Sequence, residues 1–350
     1  MERWPTVVLG AGGMVSQRLQ QRLANHPWFS LAAVAGSSRF NGRPLAEVPW
    51  ILEEARPDLP ELTVVDVEDE DLMAQLASEG VRIAFSALPS DEAERLEPRW
   101  ASHGIAVFSN ASAFRRHPGI PLVIPELNPE ALSLPTGKPH RHVCATNCTL
   151  LPLVLPFAAL NENYTITNFT MRSEQGLSGG GFGYMQEALK RGDVDPTIPG
   201  EAEKTEAELR HVLGWTGSAE VRCGRVMRAD GHHVFVTVET ERPMTEEDAT
   251  ACLVRWSSQH IMPELPSAPH QPLMLVERID PASHLHADGR QFEAVDSAHH
   301  LSTGMAITVG NIVCETPHRL RFEGFSHNTL RGAAGGVIYL AELARFLEAV

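Results

Sequence analysis

Thr6-Val7-Val8-Leu9-Gly10-Ala11-Gly12-Gly13-Met14-Val15 is a short apolar strand that runs into a glycine-rich turn. From Met14 to Asn25 the spacing predicts a helix, with Leu19 and Leu23 on one face, and Leu31 to Ala35 reads as a second strand. A strand, a tight glycine loop and a helix in that order form a βαβ unit, in which the backbone amides at the helix start face an approaching phosphate. Gly10, Gly12 and Gly13 allow a pyrophosphate to come close, with Met14 and Val15 opening the helix; Val15 stands where a third glycine is common, and Ser16 where another would be.

Outward from this unit, Thr63 to Val67, Val81 to Ser86 and Ile105 to Ser109 are strand candidates, and Asp91 to Ser102 is a helix pattern. The alternation predicts a parallel, doubly wound α/β sheet. The acidic run from Asp66 to Asp71 reads as a solvated strand end and helix start. Asn128 to His142, with Pro129, Pro135, Gly137 and Pro139, looks like a crossing into another domain. Beyond it the pattern becomes α+β with a mostly antiparallel sheet: Thr165 to Arg172, Val234 to Glu241, Leu273 to Ile279 and Met305 to Cys314 read as strands, with helices near Glu203 to His211 and Glu246 to His260. From Asn328 to Val350 an apolar helical pattern predicts a last helix that returns to the first domain.

Composition sets outer limits. At 350 residues two domains are expected, and 43% apolar residues support ordinary cores. With 29 basic against 44 acidic residues, the formal charge of −15 argues against a nucleic-acid surface and an anionic membrane. No signal sequence opens the chain and no apolar run approaches the roughly 18 residues of a membrane helix, so a soluble, cytoplasmic protein is expected. The five cysteines (Cys144, Cys148, Cys223, Cys252, Cys314) are odd in number and scattered, as free thiols in a reducing compartment would be. Cys144 and Cys148 stand near His140 and His142, but no second ligand pair follows at zinc spacing, and no metal site is expected.

Two local patterns point to chemistry. Gly36-Ser37-Ser38-Arg39 follows the second strand with no carboxylate until Glu47; hydroxyls and a guanidinium suit a ribose 2′-phosphate, which favours NADP over NAD. Ser86-Ala87-Leu88-Pro89-Ser90 ends a strand on the edge where such sheets bind nucleotides. In Ala145-Thr146-Asn147-Cys148-Thr149, polar cap formers precede the apolar run Leu150 to Leu155, which places Cys148 within one residue of a helix start. There the positive dipole end would favour a thiolate nucleophile.

Taken together, Gly10 to Val15, Ser109-Asn110-Ala111-Ser112-Ala113-Phe114-Arg115, Asn147-Cys148-Thr149, Gln175-Gly176-Leu177-Ser178-Gly179, Arg225 to His232 and Ser326 to Gly335 resemble the aspartate-semialdehyde dehydrogenase family, especially its archaeal and fungal branch. The resemblance implies a Rossmann domain of residues 1–147 plus 328–350 and a catalytic and dimerisation domain of residues 148–327. It also implies reversible, NADP-dependent conversion of L-aspartyl 4-phosphate to L-aspartate 4-semialdehyde through a cysteine thioester, in a homodimer or tetramer. By the same resemblance Cys148 is the nucleophile beside Asn147, Gln175 orients the substrate, and His232 is the acid–base group. Arg225 would hold the α-carboxylate, Arg115 the acyl phosphate, and Glu201 and Lys204 the amine and phosphate. Ser178, Gly179 and Asn328 would contact the cofactor. Alternation sends His232 and His233 to opposite faces of a strand, and the family's seven-residue separation from Arg225 favours His232.

The chain departs from the family's pattern in Thr146 before the pair, Thr149-Leu150 after it, Ser16, His233 and the turn Gly179 to Gly183. Reduction of malonyl- or succinyl-CoA on the same fold, or a silent paralogue with a binding role, are the alternatives these departures leave.

Overall fold

The computed structural model describes residues 2–133 and 139–350. Leu134 to Lys138, including Pro135 and Gly137 of the expected crossing, lie outside the described residues. The first sheet is built from β1 (Trp4–Leu9), β2 (Phe29–Gly36), β3 (Val65–Asp66), β4 (Ile83–Ser86), β5 (Ala106–Ser109) and β6 (His142–Cys144). Its order is β3-β2-β1-β4-β5-β6 with every pair parallel. This is the doubly wound order whose direction reverses between β1 and β4, and a crevice opens there beyond the strand ends. Helices α1 (Met14–Leu23), α2 (Glu70–Ser78) and α3 (Ser90–Ser102) provide the crossovers. Asp69 caps α2 by accepting from the Asp71 and Leu72 amides, so the acidic run is a strand end and helix cap.

The expected crossing does not leave the first sheet, because its end forms β6 beside β5. The chain departs only at Ala145, into α4 (Leu151–Tyr164). The second sheet has the order β10-β11-β12-β9-β7-β8, from β7 (Ile166–Gln175), β8 (Ser218–Arg225), β9 (His232–Thr240), β10 (Leu273–Leu275), β11 (Ile307–Thr316) and β12 (Arg319–Ser326). Three of its five pairings are antiparallel, and the two end pairs, β10 with β11 and β7 with β8, are parallel. Strands β8 and β12 carry charged outward positions such as Glu220, Arg222, Arg319 and Arg321, which hid them from an apolar reading. Helices α5 (Phe182–Arg191), α6 (Glu201–Leu213) and α7 (Glu246–Gln259) complete this half.

The last helix, α8 (Gly335–Phe346), packs Val337, Ile338, Leu340 and Ala341 against Val8, Leu19 and Phe29 of the first sheet's core. A single π-turn, Leu330–Ala334, precedes it. Around α1 the structure departs most from a one-sided reading, since residues 16–23 are all buried although most are polar. Gln17 is bonded to Pro49 and Ile51, Arg18 to Glu54, and Arg22 to the Leu301 carbonyl. Close by, His26 pairs with Glu342 at 2.8 Å. Long connections cover the helix face that its sequence leaves hydrophilic.

Candidate active site

Asn147 decides the shape of the turn that carries Cys148. Its Oδ1 accepts from the Thr149 amide at 3.0 Å and the Leu150 amide at 2.9 Å, a helix-cap geometry with Cys148 as the first residue inside. The regular helix begins only at Leu151, because Pro152 has no N–H to return to the Cys148 carbonyl. From the other side, Gly332 of the π-turn lies so close that an added Cβ would come 2.5 Å from the Cys148 Cβ. The glycine is therefore a requirement of the cysteine's position.

The second sheet supplies the facing residues by register. In one row across three strands, Arg225 on β8 pairs with Gln175 on β7, and Gln175 with His232 on β9. Residues paired across strands project to the same face, so the guanidinium, the amide and the imidazole share the face on which the imidazole meets Cys148, with Gln175 Nε2 donating to Ser173 at 3.3 Å. His232 Nε2 lies 3.1 Å from Cys148 Sγ. His233 projects to the opposite face, where Nε2 meets Glu323 at 2.9 Å. His232 Nδ1 accepts from the Gly176 N–H at 3.3 Å, a donor it shares with the Gly231 carbonyl at 3.0 Å.

A cleft of about 340 Å³ joins these groups to Val15, Leu88, Arg115, Ser178, Gly179, Glu201, Lys204 and Asn328. Arg225 donates to the Gly176 carbonyl at 2.8 Å and lies over the Tyr184 ring. Arg115 donates to Glu208 at 3.1 Å and to the Asn110 carbonyl at 2.7 Å. Glu201 accepts from the Thr149 hydroxyl at 3.1 Å. Asn328 accepts from the Gly231 amide and donates to Ser178, leaving one of its N–H bonds for a ligand. Asn147 lines the cleft, and its buried Nδ2 has no hydrogen-bond partner among the described residues. Sequence reasoning missed Glu208 and Gly332; the i, i+3, i+7 spacing of Glu201, Lys204 and Glu208 on α6 was the available signal for the first.

Helix-start geometry does not ionise the resting thiol. Burial, reinforced by Glu201, pushes Cys148 up to about 12 against the pull of Arg115 and Arg225. Burial likewise draws His232 down to about 3, with Arg225 and Arg228 adding to the shift. The pair therefore rests neutral, against the standing thiolate expected of a helix start. His232 is bound neutral when folded but protonates near 6.5 when unfolded, so folding stability should decline as pH falls from about 6.5 toward 3. This group alone contributes up to ~1.4 kcal/mol per pH unit within that window. Denaturant melts of the wild type and of H232N over this range should differ in slope; parallel pH curves would contradict a buried neutral imidazole.

Val15, Leu88, Ser178, Gly179 and Asn328 bring cofactor candidates into the cleft itself, and the other candidates lie beyond its lining on the first sheet. Gly10 turns at φ 110°, with Ala87 at the end of β4 facing it, at the point where strand order reverses. No side chain caps α1, so the amides of its first turn remain for a phosphate, next to Gly12 and Gly13. Ser37, Ser38 and Arg39 are exposed after β2, with the Arg39 guanidinium over Phe40. These groups fit an NADP with its pyrophosphate on the glycine loop. Buried Ser86 ends β4 beneath the same edge. Among the described residues no three His, Cys, Asp or Glu side chains converge as metal ligands, and no helix is long and apolar enough to cross a membrane.

Comparison with known proteins agrees with this architecture. Residues 6–134 match the model of the semialdehyde dehydrogenase NAD-binding domain. An aspartate-semialdehyde dehydrogenase of Archaeoglobus fulgidus is 36% identical, over 97% of this chain and 98% of its own. The chain belongs to the aspartate-semialdehyde dehydrogenase family. Another family member, from Methanothermobacter thermautotrophicus, is 35% identical over 96% and 97% of the two chains. Among solved structures, the Candida albicans enzyme with NADP superposes with a TM-score of 0.80 at 26% identity, covering all of both chains.

Proposed function

We propose that this chain interconverts L-aspartate 4-semialdehyde and L-aspartyl 4-phosphate with NADP and phosphate, through a thioester on Cys148. The observation that carries the reading is the row Arg225, Gln175, His232 with the cysteine sulfur 3.1 Å from the imidazole. In the oxidative direction Cys148 Sγ adds to the aldehyde carbon while its proton passes to His232 Nε2, so that no free thiolate has to exist beforehand. In this reading Asn147 Nδ2, which has no hydrogen-bond partner among the described residues, donates to the oxyanion. NADP, when bound, supplies the hydride acceptor. Phosphate held by Arg115 and Lys204 then attacks the thioester carbon, which forms the acyl phosphate and releases the sulfur. Arg225 offers a bidentate fork to the α-carboxylate, Gln175 aligns the carbonyl, and Glu201 meets the amine.

In this reading residues 1–147 with 328–350 hold NADP, and residues 148–327 supply catalysis and self-association. The outer face of the second sheet, with Arg172, Phe235, Thr237, Arg321 and Glu323 around a shallow hollow of about 370 Å³, supports a homo-oligomer through that face. A monomeric mass in light scattering would exclude it.

The deciding experiment follows NADPH formation from aspartate semialdehyde with and without phosphate, beside NADPH oxidation by malonyl- and succinyl-CoA. Phosphate-dependent reduction of NADP is expected, with thioester reduction at least ~10²-fold weaker. Arg115→Ala should lower phosphate-dependent turnover by ~10²-fold, as expected for a lost charged anchor. Phosphate-independent activity on an acyl-CoA, retained in that variant, would replace this reading by an acyl-CoA reductase.

A further inference from the structure

Glu208 has no assigned part in the chemistry above, yet it touches two of its components. At 2% exposure its carboxylate is divided: Oε1 accepts from Arg115 Nη1 at 3.1 Å, and Oε2 from the Asn147 amide at 2.6 Å. Glu201, seven residues earlier on the same face of α6, accepts from Thr149. One helix thereby grips the residues on both sides of Cys148. Arg115 is only partly satisfied, because its buried Nε has no partner among the described residues.

Resting on the reading of Arg115 as the phosphate anchor, we propose that Glu208 is a positioning residue that ties this arginine to the nucleophile turn. The carboxylate holds the Asn147 backbone, and with it Cys148, through a charge-assisted bond. It also neutralises part of the Arg115 charge, so phosphate is held less tightly than a free guanidinium would hold it. Glu208 thus trades phosphate affinity for an ordered cysteine, two effects of opposite sign on KM and kcat.

That opposition sets the test. Glu208→Gln keeps the volume, removes the countercharge and turns an N–H₂ toward one of the two donors. In steady-state oxidation of aspartate semialdehyde, its KM for phosphate should fall about three- to tenfold while kcat falls about 10- to 100-fold. Glu208→Asp keeps the charge but shortens the reach, so kcat should fall with the KM for phosphate within about twofold of wild type. A residue serving only the fold would lower active fraction in both variants without moving KM for phosphate in one and not the other. A folded Glu208→Gln with unchanged kcat, or with a raised KM for phosphate, overturns the proposal; if that variant does not fold, an unchanged kcat in Glu208→Asp does. Absence of phosphate-dependent turnover in the wild type would instead remove the underlying functional reading.

Discussion

Cys148→Ser is expected to reduce turnover by at least ~10³-fold while leaving NADP affinity within about twofold of wild type. The hydroxyl would occupy nearly the same place, 3.1 Å from an imidazole that burial has made a weak base. A thiol can be deprotonated by such a base as the carbon–sulfur bond forms, because sulfur tolerates developing charge; an alcohol under the same constraint cannot. The glycine loop that would receive the pyrophosphate lies on the other sheet and makes no use of the sulfur. Denaturing mass spectrometry of wild type mixed with semialdehyde and NADP, without phosphate, should reveal an adduct of the aspartyl acyl group that the serine variant lacks. A serine variant with a tenth of the wild-type rate would remove covalent catalysis by this residue.

His232→Asn should slow the reaction by ~10²–10⁴-fold, the range of a lost general base, whereas His233→Asn should change kcat by no more than a few fold. The two side chains are neighbours in sequence and belong to different surfaces of β9. His232 shares its row with Gln175 and Arg225, while His233 pairs with Glu323 across the sheet from the cleft. Removing His233 leaves that carboxylate without its partner, so the expected loss is in stability, about 1–3 kcal/mol, seen in denaturant melts and not in initial rates. The reverse pattern of kinetic effects would mean that strand β9 is shifted by one residue.

Much of the cofactor half was legible in the residues themselves. Glycine loops, short apolar strands and a two-leucine helix face are local patterns, and they predicted the parallel sheet, whose order the structure reverses where Gly10 and Ala87 meet. The Asn147-Cys148 pair was also legible, as a capped turn. Its electrostatics was not: a helix start argues for a thiolate, but the larger effect, loss of water around the sulfur, depends on what closes over it. Strands β8 and β12 were hidden by outward charges, and with β8 unseen the alignment of Arg225 with Gln175 had no structural basis in the sequence.

By itself the sequence determined the chemical inventory and its order: a phosphate-accepting loop, a capped cysteine, a glutamine, an arginine and two adjacent histidines, because each is written in residue types a few positions apart. Only tertiary structure decided which histidine meets the sulfur 84 residues away, that both rest neutral, and that Glu208 joins Arg115 to the nucleophile turn. The physical reason is that strand register and exclusion of water are collective properties, set by the packing of the whole sheet and its covering helices, which no short stretch of chain contains.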